Sequence, residues 1–198
     1  MRPLLAACIV VALALPARAE TDLRDIGVGM TAATLPAGEY TGFRCADPPG
    51  TPLGGWTDWQ SCPADAQGRH AVRFAYADGK TVVAGHPVVL TALFGAGGRL
   101  EVLTIETDPA ARLFMRKRAF LLGLQARAHF GDDGWACTEG HPGPDAEPLG
   151  GVFIRETCRK SLPGRDLLVE RALYRKPGTE LQDFVGESRV TITARAAP

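Results

Sequence analysis

The chain has 198 residues, 45% of them hydrophobic, with 22 basic and 22 acidic side chains, so its formal charge is zero. That balance excludes the basic footprint of a nucleic-acid binder, and the apolar content excludes a compositionally disordered chain. There is material for one sizeable core or two small ones.

Residues 1–19 read as a secretory signal. Arg2 supplies the positive start, Leu4 to Leu15 is an apolar run, and Ala17-Arg18-Ala19 is a small-x-small cleavage site before Glu20. The run is too short to span roughly 30 Å of hydrocarbon. Leu5-Ala6-Ala7-Cys8 has the form of a lipoprotein box, but too few residues precede it, and cleavage after Ala19 is expected. No later segment is apolar enough to anchor the chain, so a periplasmic or extracellular location without a transmembrane segment is expected. Cleavage removes Arg2 and Arg18 from the 22 basic residues, leaving 20 against 22 acidic ones and a net charge of −2. It also removes Cys8, leaving Cys45, Cys62, Cys137 and Cys158, an even number suited to an oxidising compartment.

Two stretches match without a gap at an offset of 96. Pro52-Leu53-Gly54-Gly55, Cys62 and Gly68-Arg69 recur as Pro148-Leu149-Gly150-Gly151, Cys158 and Gly164-Arg165. Upstream, Gly42-Phe43-Arg44-Cys45 parallels Gly134-Trp135-Ala136-Cys137. Self-similarity of this kind predicts a duplicated unit, giving a first module over 20–107 and a second over 108–198. Four cysteines allow three pairings. If the copies fold alike, the pairing that repeats is Cys45 with Cys62 and Cys137 with Cys158. Each bridge then closes a loop of about twenty residues, worth roughly 3 kcal/mol in the chain-entropy account.

Along the first copy, Ile26, Met30 and Leu35, with Thr31 as a cap and Pro36 as a stop, predict a weak helical lead-in. His70, Val72, Phe74 and Tyr76 alternate with Ala71, Arg73 and Ala75, the period of a half-buried strand. Val88 to Phe94 and Leu100 to Ile105 flank Gly95-Ala96-Gly97-Gly98 and predict a hairpin. In the second copy Asp108-Pro109 caps a predicted helix with apolar positions at Leu113, Phe120, Leu121, Leu124 and Ala128, stopped by Gly131. Its Arg112, Arg116-Lys117-Arg118 and Arg127 are expected on a solvated face. Val152 to Thr157, Leu167 to Tyr174 and Arg189 to Arg195 alternate as strands, antiparallel because no long crossover separates them. The expected fold class is α+β: two tandem modules, each a helical lead-in plus an antiparallel sheet with one disulfide.

That order resembles the tandem modules of secreted β-lactamase inhibitor proteins and of small outer-membrane assembly lipoproteins. Gly29-Met30-Thr31 and the hairpin from Pro87-Val88-Val89-Leu90 to Leu103 carry the resemblance. It implies a protein-binding role without catalytic activity.

The sequence carries few catalytic or metal-binding signatures. There is no Gly-x-Ser-x-Gly, and Ser61, Ser161 and Ser188 sit in no nucleophile motif. His70, His86, His129 and His141 have no zinc-ligand spacing. The acidic loop with Asp132, Asp133, Glu139, Asp145 and Glu147 has the oxygen-rich character that suits a hard cation, without EF-hand spacing. Trp56 and Trp59 stand where the second copy has Val152 and Arg155. On a strand they would point to opposite faces, so that either one is exposed as an interface anchor or both pack, one in each direction, against the sheet and the long helix. The sequence therefore leads to a non-enzymatic, cofactor-free exported binding protein with a protein partner. The alternative is a small-ligand or hard-cation binder using the inter-module cleft or the acidic loop.

Overall fold

The computed structural model describes residues 21–195; the expected signal segment lies outside them. The chain builds one antiparallel sheet. Its strands are β1 (Tyr40–Cys45), β2 (His70–Tyr76), β3 (Val82–Val83), β4 (His86–Phe94), β5 (Leu100–Thr107), β6 (Ala136–Glu139), β7 (Ile154–Leu162), β8 (Arg165–Arg175) and β9 (Phe184–Ala194). The spatial order is β1-β2-β4-β5-β9-β8-β7-β6, with short β3 paired to β4. Each half of the chain is a meander of sequential neighbours. The halves join where β5 pairs β9, from Val102 opposite Thr193 to Glu106 opposite Arg189.

Alternation explains which side of the sheet is covered. Val72, Phe74 and Tyr76 on β2, then Val88, Leu90, Ala92 and Phe94 on β4, are all buried, while their neighbours are not. The same face takes Ile105, Val169, Val190 and Ile192, so one hydrophobic core draws on both halves. A bulge sets Leu93 opposite Val102 but Phe94 opposite Leu100, so that Leu100 and Leu103, three apart in sequence, both enter the core. In the predicted hairpin turn, Gly97 and Gly98 take φ of 70° and 72°, a region open to glycine.

The expected α+β class with helical lead-ins is overturned, because strand accounts for 45% of the chain and helix for only 13%. Residues 21–36 form no helix, since their backbone groups are claimed by the β4–β5 hairpin. Gly29 N donates to Leu100 O, Leu100 N to Met30 O, and Ala32 N to Gly98 O. A single turn closes where Thr34 N and Leu35 N donate to Thr31 O, and Pro36 follows.

The second lead-in is a short α1 (Leu113–Arg116) and the ten-residue α2 (Phe120–His129). Asp108 caps a turn rather than a helix, its carboxylate accepting from Ala110 N at 2.9 Å, and Arg112 is extended at ψ 145° before α1 starts. α2 lies on β8 and β9. Gly123 permits the close approach, for a Cβ there would stand 2.6 Å from the Arg171 side chain.

The structure joins Cys45 to Cys62 and Cys137 to Cys158. The two matched stretches nevertheless hold different places in the sheet. Cys62 follows a 3-10 helix (Trp56–Ser61), whereas Cys158 lies inside β7 directly opposite Cys137 on β6. Gly68-Arg69 precede β2, the second strand of its meander, while Gly164-Arg165 open β8, the third.

His86 opens the buried row of β4 at 6% exposure, and its Nδ1 has no hydrogen-bond partner. Burial, then the nearby positive Arg118, push its pKa below the ordinary value, against a hydrogen bond with Gln125. The unfolded chain therefore takes up the proton more readily than the native one. Stability should be fully present above about pH 6.5, the ordinary histidine value, and fall as pH drops below it toward the depressed native pKa. Urea unfolding between pH 7.5 and 5 should show this loss, and His86→Gln should flatten it; parallel profiles would refute the assignment.

Candidate binding face

The opposite face of the sheet is left uncovered by α1, α2 and the 21–36 segment. One row of side chains crosses all eight ordered strands in register: Arg44, Arg73, Thr91, Thr104, Thr191, Leu168, Arg159 and Ala136. Its centre is three threonines and its flanks are arginines. The adjacent row runs Val89, Glu106, Arg189, Glu170, Thr157 and Thr138. At strand spacings of about 4.8 Å the face is roughly 33 Å wide, comparable with one side of a standard protein interface.

The face is concave. A depression of about 740 Å³ takes Arg44, Arg73, Glu106, Arg155, Glu170 and Arg189 from six strands. A second, of about 620 Å³, adjoins it at the β1 edge between Arg44, Arg73 and the Pro48-Pro49-Gly50 turn. Arg189 Nε donates to Glu106 at 2.5 Å, closing one charge pair within the face. Arg44 and Arg73 sit directly opposite each other, like charges with no ion pair among the described residues. Cross-strand neighbours of like sign are unfavourable, which leaves this corner positive.

The residues singled out from sequence lie elsewhere. Trp56 and Trp59 are not on a strand but on the 3-10 helix, and both are buried, at 3% and 9% exposure. Trp56 packs edge-on against Phe43 and Phe74 at centroid distances of 4.7 and 4.8 Å, and its Nε1 donates to Pro36 O at 2.9 Å. Trp59 stands against His70. Neither offers an exposed anchor, because a 3-10 turn places residues three apart on one side rather than on opposite faces.

The acidic loop does not converge. Asp132, Asp133, Glu139 and Asp145 are exposed, Asp145 pairs with Arg155 at 3.3 Å, and Glu147 pairs with Arg175. Among the described residues, the metal-ligand atoms that come together belong to Cys137, Glu156 and Cys158. The cysteines are bridged there, and Glu156 accepts from Arg171 Nε at 2.6 Å and faces Arg127 at 3.4 Å. Cations already hold that carboxylate. The serines meet no histidine among the described hydrogen bonds; Ser161 Oγ donates to Asp166 at 2.6 Å, and His70 Nδ1 lies 2.6 Å from Cys62 O. An apolar cavity of about 260 Å³ lies between Leu23, Ile105, Leu122 and Phe130.

Sequence reasoning missed the open face as a unit. Alternation placed Arg73, between the core positions Val72 and Phe74, on the other side, but which strands lie beside it is not a local property. Compared with protein-family models, curated proteins and solved structures, the chain matches none. Among the described residues no helix is long and apolar enough to cross a membrane.

Proposed function

We propose that this is an exported, non-catalytic binding protein that docks another protein on its concave sheet face. The uncovered eight-strand row is the observation that carries the reading. A sheet presents side chains on a stiff backbone, so little ordering cost is incurred on binding. Along the longest row, three threonines and Leu168 lie between flanking arginines, and the next row sets the Glu106–Arg189 pair on the central strands, so the face offers both neutral and charged contacts. Two disulfides support an oxidising compartment, periplasmic or extracellular.

The test is capture from an envelope or culture-fluid extract by the immobilised protein. Thr191→Arg, at the centre of the face, should weaken capture of the partner by about 2 kcal/mol or more, the scale of an interface hot spot. Glu180→Lys, in the exposed loop before β9, should leave capture unchanged. Equal loss in both, or no loss in either, would refute the assignment of the face.

A further inference from the structure

Residues 109–131 contain Arg112, Arg116, Lys117, Arg118 and Arg127 and no aspartate or glutamate, in a chain whose formal charge is zero. Two of these cations are committed. Arg116 donates to Phe184 O at 3.2 Å and lies over that ring, and Arg127 faces Glu156. Arg112, Lys117 and Arg118 are exposed and make no ion pair among the described residues. Glu180 and Asp183, in the loop leading to Phe184, pair with none of them.

Between these cations stand the side chains of Leu113 and Phe114, 48% and 57% exposed and outside both hydrophobic clusters. Lys117 and Arg118 follow Phe114 by three and four positions, the spacing that places side chains on one side of a helical turn. α2 adds exposed Leu124. The opposite side of this element is occupied: Leu122 and Gly123 are buried against the sheet, and Arg116 O lies against Gly186 of β9. The apolar residues therefore point away from the core, ringed by cations.

We propose that α1 and the start of α2 seat on an anionic lipid surface. Phe114 and Leu113 enter the headgroup boundary, and Arg112, Lys117 and Arg118 lie among the phosphates. Aromatic and leucine side chains flanked by Lys and Arg are the composition of interfacial segments. Basic residues near an anionic leaflet each strengthen binding, about fivefold apiece. A soluble polyanion would use the cations but gain nothing from two exposed apolar side chains among them. Because α1 and α2 cover the core side of the sheet, a membrane-seated protein would still present its concave face to solvent.

Co-sedimentation of the intact protein with vesicles tests this, comparing phosphatidylglycerol-containing with pure phosphatidylcholine vesicles. Binding is expected on the anionic vesicles at low salt and should weaken as salt rises. Arg112→Glu with Lys117→Glu, which leaves Arg118 beside His86 in place, should weaken binding at least about 25-fold, from two charges at that fivefold each. Phe114→Ser should weaken binding while keeping its salt dependence. Phe114→Trp should add blue-shifted emission on vesicles relative to the wild type. The proposal is overturned by absent sedimentation at low salt or by equal binding to phosphatidylcholine. It is equally overturned by full-strength binding of the charge-reversed protein or of Phe114→Ser, or by an unshifted Phe114→Trp spectrum.

Discussion

Trp56→Ala is expected to lower the unfolding free energy by about 3–5 kcal/mol, the range for truncating a fully buried aromatic side chain. The indole is 3% exposed and lies among Tyr40, Phe43, Phe74 and Phe94, with ring centroids between 4.7 and 6.1 Å away. Four rings from three strands cannot all close on the space it vacates, so a cavity remains. Its removal also leaves Pro36 O without the Nε1 donor. Trp56→Phe keeps much of the ring packing and loses that hydrogen bond, and should cost only about 1–2 kcal/mol, the scale of one unmade buried bond. Urea unfolding with both disulfides oxidised measures the two variants. An exposed binding anchor would behave in the opposite way, altering partner capture with no shift in the unfolding midpoint.

Glu156→Ala should be nearly as damaging, at about 3–5 kcal/mol, because breaking one side of a buried ion pair strands the other. Glu156 is 8% exposed and Arg171 11%, and the Arg171 stem is the surface on which Gly123 of α2 rests. Removing the carboxylate therefore leaves a guanidinium buried beneath the helix, with Arg127, the other cation that faced Glu156, nearby. Replacing both partners, Glu156→Met with Arg171→Met, should recover about half of the loss or more, since well-packed apolar pairs often match buried ion pairs in stability. Chemical denaturation of the single and double variants decides it. A double variant no better than Glu156→Ala would show that packing, rather than the stranded charge, sets the cost.

Much of the sheet was legible in the sequence because strand alternation is local. The run from His70 to Tyr76 announces its buried row through Val72, Phe74 and Tyr76, and the glycines at 95–98 announce the turn between β4 and β5. β1 and β6 were not foreseen. β6 is a four-residue edge strand with every side chain exposed, so it carries no apolar period at all. The helical lead-in at 21–36 was wrongly expected for a related reason. Ile26, Met30 and Leu35 do face apolar surroundings, but their spacing says nothing of the hairpin whose carbonyls and amides take up the backbone. The tryptophans failed on conformation: Trp56–Ser61 is a 3-10 turn, whereas a strand there would have pointed the two indoles to opposite faces.

The face proposed for binding shows the same division. That Arg73 points away from Val72 and Phe74 follows from the period of two. That Arg73 then shares a row with Thr91, Thr104, Thr191, Leu168 and Arg159 follows only from pairing between distant segments, above all β5 with β9.

By itself, the sequence determined the composition that permits a core, the buried parity of the main strands, and the charge-segregated run from Arg112 to Arg127. The tertiary structure decided that the two halves share one sheet, that one face stays open, and that both tryptophans are inside. The physical reason is that periodicity is written in neighbouring residues, whereas strand order, coverage and the fate of backbone hydrogen bonds are settled between residues far apart in the chain.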